Sequence, residues 1–311
     1  MIVTVTLNAA LDVTYHVPRL TPHATHRVSD VTARPGGKGL NVSRVLAALG
    51  HETVATGLAG GRTGDALREG MAAVAPGVTD ALMTVRGETR RTVAVVDAAS
   101  GDTTMFNEPG PLVGAEEWAA FVRRYTELLD GARAVALCGS LPPGLPVGAY
   151  AELVRAARTA GVYVLLDTSG EALRRGIAAR PDAIKPNADE LAQLTGLTEP
   201  SRASGEARRR GARAVVASAG PAGLLAVAEE GVWQAPVPER LEGNPTGAGD
   251  SAVAGLLSGL AEGLPWPDRL ARAVALSAAT VLAPAAGEFD REAYERLLPV
   301  VRVDSPSRIA D

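Results

Sequence analysis

Cysteine is almost absent from this chain of 311 residues, which contains one, Cys138. It lies in the apolar run RAVALC, where a buried thiol behaves as a small hydrophobic side chain. A lone cysteine excludes both a disulfide framework and a thiolate metal site within the chain. This cysteine usage predicts a protein of a reducing compartment.

The chain also lacks an excess of positive charge. Its 31 lysines and arginines are outnumbered by 35 acidic residues, which gives a formal net charge of −4. Because the basic residues are not gathered in one block, they offer no electrostatic footprint for nucleic acid or an anionic membrane. We therefore expect no nucleic-acid partner and no membrane partner.

Long hydrophobic runs are missing too. No run approaches the roughly 18 apolar residues of a membrane-spanning helix, and the opening MIVTVTLNAALD has no basic stretch followed by a long apolar one. These absences predict a soluble, cytoplasmic protein. The tail after Val303 is predicted to fray, because terminal residues are seldom held in place.

What the chain does have is a repeated alternation of short apolar runs with helical patterns. The apolar runs predict strands at Ile2 to Thr6, Ala132 to Cys138, Val162 to Asp167, Ala183 to Lys185 and Ala214 to Ser218. The helical patterns include Asn41 to Leu49, Val147 to Thr159 and Asn187 to Leu194. Such alternation is typical of an α/β domain with a mostly parallel sheet covered on both faces, whose ligands bind beyond the carboxyl ends of the strands.

Four further segments do not fit this alternation. Tyr15 to Val17 and Arg27 to Arg34 flank the turn-rich stretch LTPHAT, and Arg91 to Asp97 can pair with Thr103 to Asn107 across AASGD. They predict a small separate sheet that acts as a lid, which would exclude water from a site of group transfer. Ordinary edge hairpins are the alternative. We expect one domain over residues 1–311, with lid segments inserted at about 13–34 and 91–108.

The stretch GNPTGAGDS, Gly243 to Ser251, precedes a helical pattern over Ala252 to Leu260. Bare backbone N–H groups at a helix N-terminus bind phosphate, and glycine lets the anion approach closely. A carboxylate weakens such a site, so Asp250 needs a function that offsets the repulsion, and accepting a proton is one. The alternative is a tight turn in which Asp250 completes the helix cap.

A second glycine-rich helix start lies in RPGGKGLNVSRVLAALG, Arg34 to Gly50. Glycines on both sides of Lys38 expose backbone donors beside the positive end of a helix that begins near Asn41. The segment is not a P-loop, because Leu40 stands where that motif needs a hydroxyl. By itself it is also consistent with a glycine-rich turn and a solvated lysine.

Together the two stretches resemble both signature motifs of the ribokinase-like (PfkB) carbohydrate kinase family. Four motifs follow the family's order and spacing: GGKGLNVSR at Gly36 to Arg44, GSLPPG at Gly139 to Gly144, KPNADE at Lys185 to Glu190 and TGAGDS at Thr246 to Ser251. The resemblance runs from TLNAALD to PAAGEFD, nearly the whole chain. It implies a ribokinase-like three-layer α/β/α domain with a small β-sheet lid, which uses ATP and Mg²⁺.

The branch of the family that acts on hexose phosphates is the most similar: 1-phosphofructokinase, 6-phosphofructokinase and tagatose-6-phosphate kinase. This similarity is carried by TLNAALD, ETR at Glu88 to Arg90, NEPGP at Asn107 to Pro111 and LDTSGEAL at Leu166 to Leu173. Departures from the pattern at Thr92, NAALD and NPTGAGD remove no charged catalytic group. The resemblance implies a kinase for fructose 1-phosphate, fructose 6-phosphate or tagatose 6-phosphate.

The resemblance also implies roles for individual residues. Asp250 matches the base that accepts the proton of the sugar hydroxyl, and the N–H groups of Gly247, Ala248 and Gly249 match those that hold the transferred phosphoryl group. We expect Asp250 to be ionised, because a helix N-terminus favours the charged form. Residues that match sugar-binding positions are Asp12, Gly36, Gly37 and Asn41; those that match positions meeting a substrate phosphate are Arg27, Lys38, Arg90 and Ser140.

The nucleotide end is implied in the same way. Its candidates are Lys185, Asn187, Glu190, Ser218, Gly220, Gly223 and Thr246, with Asp167 and Ser169 nearby, and Pro284 to Glu288 bordering the adenine. Glu190 and Asn187 would hold Mg²⁺ through water. Asn-x-x-Glu is also a capping-box pattern, so these two residues have a structural alternative that is compatible with the functional one.

Two other functions remain open from the sequence. A kinase for an unphosphorylated sugar or nucleoside is one, against which Arg27, Lys38 and Arg90 argue. A non-catalytic sugar-phosphate or nucleotide sensor is the other, against which Asp250 argues, because a sensor needs no base. The family resemblance further implies a homodimer joined through the lids, for which apolar side chains are available at Val28, Val31, Val93, Val95 and Met105.

Overall fold

The computed structural model describes residues 1–305, and within them nine strands form one large sheet. These strands are β1 (Ile2–Thr6), β4 (Thr53–Ala59), β5 (Val78–Thr84), β8 (Ala134–Cys138), β9 (Tyr163–Asp167), β10 (Ala183–Ile184), β11 (Ala214–Ser218), β12 (Leu224–Val227) and β13 (Val232–Ala235). They lie in the order β13-β12-β11-β10-β9-β8-β1-β4-β5. The sheet is parallel from β5 to β11 and antiparallel only at β12 and β13, so the predicted mostly parallel sheet is confirmed.

Helices cover both faces of this sheet, as predicted. They are α1 (Lys38–Ala48), α2 (Gly61–Val74), α3 (Ala115–Leu128), α4 (Ala149–Thr159), α5 (Gly170–Ile177), α6 (Ala188–Thr195), α7 (Pro200–Arg209), α8 (Ala248–Ala261), α9 (Trp266–Val281) and α10 (Arg291–Leu297), with short 3₁₀ helices at Gly220–Ala222 and Leu298–Val300. Alternation along β8 serves two cores: Val135 and Leu137 pack in the one under α3 to α7, and Ala136 and Cys138 in the one under α1, α8, α9 and α10. The buried Cys138 is a free thiol.

The lid is a separate sheet of four strands, so the edge-hairpin alternative is wrong. Its strands are β2 (Ala10–Val17), β3 (Asp30–Gly36), β6 (Arg90–Asp97) and β7 (Thr103–Asn107), in the order β3-β2-β6-β7. The predicted pairing of the last two strands across AASGD is confirmed and is antiparallel. Because β2 follows the carboxyl end of β1 after one turn, the lid is attached where the large sheet ends.

The register of the lid strands assigns their side chains to two faces. Val93 lies beside Val13 and opposite Phe106, and Val95 lies beside Tyr15, which is opposite Val31. Successive side chains point to opposite faces, so these six residues form one apolar face. Two of them are well exposed, Val31 by 51% and Phe106 by 59%.

Two members of the apolar set chosen from the sequence do not belong to that face. Met105 lies opposite Ala94, hence on the other face, which also carries Asp12 and Thr92. Val28 lies outside the strand, because β3 begins at Asp30, opposite His16 near the end of β2. The strand predicted over Arg27 to Arg34 therefore begins three residues later than expected, because residues before Asp30 pair with no residue of β2.

Other boundaries moved by a few residues. Helix α1 begins at Lys38 rather than near Asn41, after Gly37 with a φ of 113°. Strands β4, β5, β12 and β13 were not predicted. Asp304 forms an isolated bridge with Gln234, so the chain is held just beyond Val303, and the rest of the tail predicted to fray lies outside the described residues. No helix of the described part is both long and apolar enough to span a membrane.

Candidate active site

Helix α8 starts with an open anion site. Its N-cap is Gly247, with a φ of 87°, and no side chain caps the helix. The amide of Ala248 donates to the carbonyl of Pro245, whereas those of Gly247, Gly249 and Asp250 donate to no other described residue. The amide of Ala248 is thus used in a turn, and the amides of Gly247, Gly249 and Asp250 are open to an anion.

Asp250 lies in the first turn of α8, as the capping alternative expects, but its side chain makes no capping hydrogen bond. Its Oδ2 accepts a hydrogen bond of 2.8 Å from Nδ2 of Asn41 on α1. The residue is 6% exposed. A buried carboxylate held by one neutral donor, next to a row of backbone donors, is placed to accept a proton.

Burial has the largest effect on the pKa of Asp250. Burial and the charge of Asp167 raise the pKa of Asp250 to about 6, against the hydrogen bond from Asn41 and the charges of Lys38 and Lys185. The shift is opposite in direction to what the helix N-terminus alone predicts. The carboxylate is still largely ionised at neutral pH, and a base with a pKa near the working pH suits general-base catalysis.

Two lysines share a buried carboxylate beside Asp250. Asp167, at the end of β9, is 1% exposed and lies 3.3 Å from Nζ of Lys38 and 3.7 Å from Nζ of Lys185. Burial disfavours the charge on Lys38, but Asp167 and Asp250 outweigh it and raise the pKa of the ammonium. A methyl group on Gly249 would lie 3.4 Å from Nζ of Lys185, which brings this lysine to the anion site.

Asp12 and Arg90 lie on neighbouring lid strands, and their charges interact. Burial raises the pKa of Asp12 to about 6, although the charge of Arg90 and a hydrogen bond from Thr92 lower it. A Cβ on Gly36 would lie 2.0 Å from the Asp12 carboxylate, so any other residue there would displace that carboxylate. A carboxylate facing a guanidinium can accept hydrogen bonds from sugar hydroxyls while the arginine binds an anion.

Asn8 joins Arg90 to Ser140, a role that the sequence analysis missed. Its carbonyl accepts from Nε of Arg90 at 3.2 Å, and its Nδ2 donates to Oγ of Ser140 at 3.1 Å and to the carbonyl of Pro109 at 3.1 Å. The only sequence signal was its place just beyond β1. Asn8 is 6% exposed, and its Oδ1 has no hydrogen-bond partner among residues 1–305.

Arg27 is the remaining residue predicted to bind a substrate phosphate. It is exposed, it precedes β3, and no hydrogen bond or ion pair joins it to another described residue.

The nucleotide candidates gather at the ends of β10 and β11. Asn187 and Glu190 form a capping box on α6: Oδ1 of Asn187 accepts from the amide of Glu190 at 2.8 Å, and Oε2 of Glu190 from the amide of Asn187 at 2.9 Å. Their structural alternative is therefore confirmed. Asn187 also bridges to Ser218 in parallel fashion, which places the 218–223 loop beside α6.

The 218–223 loop and Thr246 contain the remaining nucleotide candidates. Gly220 and Gly223 both have positive φ, of 53° and 87°, and a Cβ on Gly223 would lie 2.0 Å from the carbonyl oxygen of Ala235. The amide of Thr246 donates to Oδ1 of Asn244, which shapes the turn before α8. Gly220, Gly223 and Thr246 thus hold backbone turns, and their contact with a nucleotide stays a prediction.

Cavity size does not identify this site. A cavity of about 580 Å³ lies at the opposite end of the parallel strands, between residues such as Tyr163, Asp182 and Trp266. A cavity of about 370 Å³ borders Ser218 and Gly223. The described residues contain no group of three histidine, cysteine or acidic side chains that could hold a metal ion by themselves.

Known proteins are similar to this chain over most of its length. Residues 4–292 match the model of the pfkB family of carbohydrate kinases. The structure is similar to phosphofructokinase-2 of Escherichia coli in complex with fructose-6-phosphate, at 32% identity and a TM-score of 0.88 over 96% of this chain and 98% of that one. A possible 1-phosphofructokinase of Thermotoga maritima is 28% identical, with a TM-score of 0.85 over 98% of this chain and 99% of that one.

A more distant structure shows the fold alone. It is the ribokinase of Arabidopsis thaliana complexed with ribose and ATP, 23% identical, with a TM-score of 0.73 over 96% of this chain and 98% of that one. The large, mostly parallel sheet flanked by helices and the small separate sheet match the ribokinase-like fold. The chain is a member of the pfkB family of carbohydrate kinases, with a ribokinase-like fold.

Proposed function

We propose that this kinase transfers the γ-phosphoryl group of ATP to a phosphorylated ketohexose, with Asp250 as the general base. The observation that carries the proposal is the buried Asp250 carboxylate among the open amides of the α8 start. Phosphoryl transfer depends mainly on positioning and on charge stabilisation, which donors next to a base supply in one place. Asn41 orients the carboxylate through its 2.8 Å hydrogen bond.

The acceptor is proposed to carry a phosphate already. Arg90 and Ser140 are joined through Asn8, and Arg90 faces Asp12, so a sugar hydroxyl and a phosphate can be bound side by side. The similar structure from E. coli contains fructose-6-phosphate, and the similar T. maritima protein is a possible 1-phosphofructokinase. Fructose 1-phosphate, fructose 6-phosphate and tagatose 6-phosphate are the candidate acceptors.

ATP and Mg²⁺ are proposed to bind at the other end of the site. Lys185 beside Gly249, with Asn187, Glu190 and Ser218 at the strand ends, would line the path of the phosphates. Mg²⁺ usually keeps several waters and binds through one or two carboxylates together with substrate phosphates. Glu190 and Asn187 fit such water-mediated binding, and the ion would neutralise charge on the phosphates.

The test is a coupled ADP-release assay with ATP and Mg²⁺ over a panel of free sugars, nucleosides and sugar phosphates. We expect the highest kcat/KM for one of the three ketohexose phosphates. Higher kcat/KM for a free sugar or a nucleoside would overturn the acceptor, and ADP release with no compound of the panel would favour a sensor.

The rate should depend on pH through two carboxylates. The pKa values of Asp250 and Asp12 are both raised to about 6. The base must be ionised, so kcat/KM should fall about tenfold per pH unit below about pH 6, and more steeply where both groups titrate.

A phosphate monoester also titrates near pH 6, so the profile of the wild type is compared with that of Asp12→Asn on the same substrate. In Asp12→Asn, kcat/KM should still fall about tenfold per pH unit as Asp250 is protonated, but the steeper fall caused by the second carboxylate should be absent. A wild-type kcat/KM that stays level between about pH 7 and about pH 5 would contradict the assignment.

The lid is proposed to join two chains. Its apolar face, formed by Val13, Tyr15, Val31, Val93, Val95 and Phe106, points away from Asp12. A sheet of few strands is marginal with one uncovered apolar face, and a second lid packed against it would bury that face.

We expect sedimentation at micromolar concentration to show a species of twice the chain mass. Replacing Val93 and Val95 together by lysine should raise the dissociation constant at least about 100-fold, because facing like charges cost several kcal/mol. Thr103→Lys is the matched control, since Thr103 is exposed and lies on the other face, opposite Val96. A fully active wild-type monomer would reject the dimer, and a double variant that stays dimeric would reject this interface.

A further inference from the structure

The carboxylate of Glu288 is shared by two arginines from distant parts of the chain. Its Oε1 lies 2.6 Å from NH1 of Arg34 and 2.7 Å from NH2 of Arg44. Arg34 is on the lid strand β3, Arg44 is on α1, and Glu288 is at the end of the loop between α9 and α10. One side chain therefore connects the lid, the helix that carries Asn41, and this loop.

Arg44 binds two residues of the loop between α9 and α10, Ala286 and Glu288. It is 5% exposed, and its NH1 donates to the carbonyl of Ala286 at 2.9 Å. Burial lowers the pKa of Arg44, an effect opposed by the charge of Glu288. A buried guanidinium with two partners on one loop leaves that loop little freedom to shift.

The same loop packs against both parts of the catalytic centre. A Cβ on Gly247, the N-cap of α8, would lie 2.8 Å from Cα of Ala286. A Cβ on Gly287 would lie 3.0 Å from Oδ1 of Asn41, the residue that donates to Asp250. A movement of the loop would therefore displace the anion site or the partner of the base.

Arg34 brings the lid into this contact. It lies opposite Asp12 in the register of β3 and β2, and its side chain is 39% exposed. Asp12 is thus connected to Glu288 through a single residue, Arg34, which pairs with Asp12 in the sheet and with Glu288 through its side chain.

We infer that Glu288 is a positioning residue, which links the closed position of the lid to the geometry of the anion site and of Asp250. This inference rests on the proposed function. When Arg34 pairs with Glu288, the lid adds a second restraint to the loop already held by Arg44. Closure over the sugar would then align the N-terminus of α8 without any contact between Glu288 and substrate.

The main test is the pair of variants Arg34→Gln and Glu288→Gln with their combination. A displacement of about 1 Å can lower a rate about 100-fold, so we expect Glu288→Gln to lower kcat by about 10- to 100-fold and Arg34→Gln by about tenfold, with KM for both substrates changed less. The double variant should be no slower than Glu288→Gln alone, because both changes break one link. Glu288→Asp, which keeps the charge, should recover part of kcat.

A matched control is Arg91→Gln. Arg91 is a lid arginine that pairs with Glu108 at 2.8 Å, and it lies on the face that points away from the site. Its kcat should stay within twofold of the wild type. Equal kcat for Arg34→Gln and Arg91→Gln, or losses of the two single variants that multiply in the double variant, would overturn the inference.

A second measurement needs no turnover. In hydrogen exchange followed by mass spectrometry, peptides that cover residues 284–288 should exchange about tenfold faster in Arg34→Gln than in the wild type, and no faster in Arg91→Gln. Because the Arg34 side chain is partly exposed, we expect Arg34→Gln to fold, so this variant tests the link even if Glu288→Gln does not fold. Unchanged exchange would overturn the link itself, whereas a wild type inactive on every sugar phosphate would overturn only the proposed function.

Discussion

Asp250→Asn should lower kcat by roughly 100- to 10,000-fold, or about 3–5 kcal/mol in the activation free energy. The amide keeps the size of the side chain and can still accept the hydrogen bond from Asn41, but it cannot take a proton from the sugar hydroxyl. Arg90, Ser140 and Asp12 are unchanged, so binding of the sugar phosphate should stay nearly intact. Steady-state ADP release gives kcat, and titration with the sugar phosphate gives the dissociation constant.

The stability of this variant separates catalysis from folding. The pKa of Asp250 is raised from 3.8 to about 6, so between these values the folded protein binds more protons than the unfolded chain. The free energy of unfolding therefore falls as pH rises through this window, and the ionised carboxylate is a cost at neutral pH. Asp250→Asn should melt no lower than the wild type. Turnover within tenfold of the wild type would show that Asp250 is not the base.

Arg90→Ala should raise KM for the sugar phosphate by roughly 10- to 150-fold, because a hydrogen bond to a charged group contributes about 1.5–3 kcal/mol. KM for ATP should scarcely change, since Arg90 interacts with Asn8, Thr92 and Asp12 and not with the residues proposed to bind the nucleotide. For Arg90→Lys, KM for the sugar phosphate should lie between the values of the wild type and of Arg90→Ala, because an ammonium keeps the charge but loses the planar fork of the guanidinium.

The neighbouring Arg91 provides the control for this prediction. It is exposed, it pairs with Glu108, and its side chain leaves the opposite face of the same strand. Arg91→Ala should leave KM for both substrates unchanged. Equal increases of KM for sugar phosphate and for ATP in Arg90→Ala, or a wild type that prefers free fructose to its phosphates, would contradict a phosphate clamp at Arg90.

The sequence predicted strands well where a continuous apolar run marked them. β1 and β11 have the bounds expected from their apolar runs, and the four lid segments were recognised. Strand β5, an edge strand with a half-exposed pattern, was missed because it lacks a continuous apolar run. The start of β3 was placed too early at Arg27, because the end of a strand depends on its pairing partner and not on its own residues.

The lid shows the same limit for side-chain placement. From the sequence, Met105 was grouped with Val93 and Val95, but it lies opposite Ala94 on the face of Asp12. A shift of one residue in register reverses the face of every side chain, and the register is decided by the partner strand. On β7 the hydrophobic side chain that lies on the apolar face is that of Phe106, opposite Val93.

The sequence by itself determined the alternation of strands and helices, the glycines and the donors at two helix starts, and the residue types available for proton and phosphate chemistry. These features depend on neighbours along the chain. Only the tertiary structure decided that Asn8 joins Arg90 to Ser140, that Glu288 joins Arg34 to Arg44, and that Asp250 has a raised pKa. Burial, charge and hydrogen bonding between residues far apart in sequence act through space, so they exist only once the chain has folded.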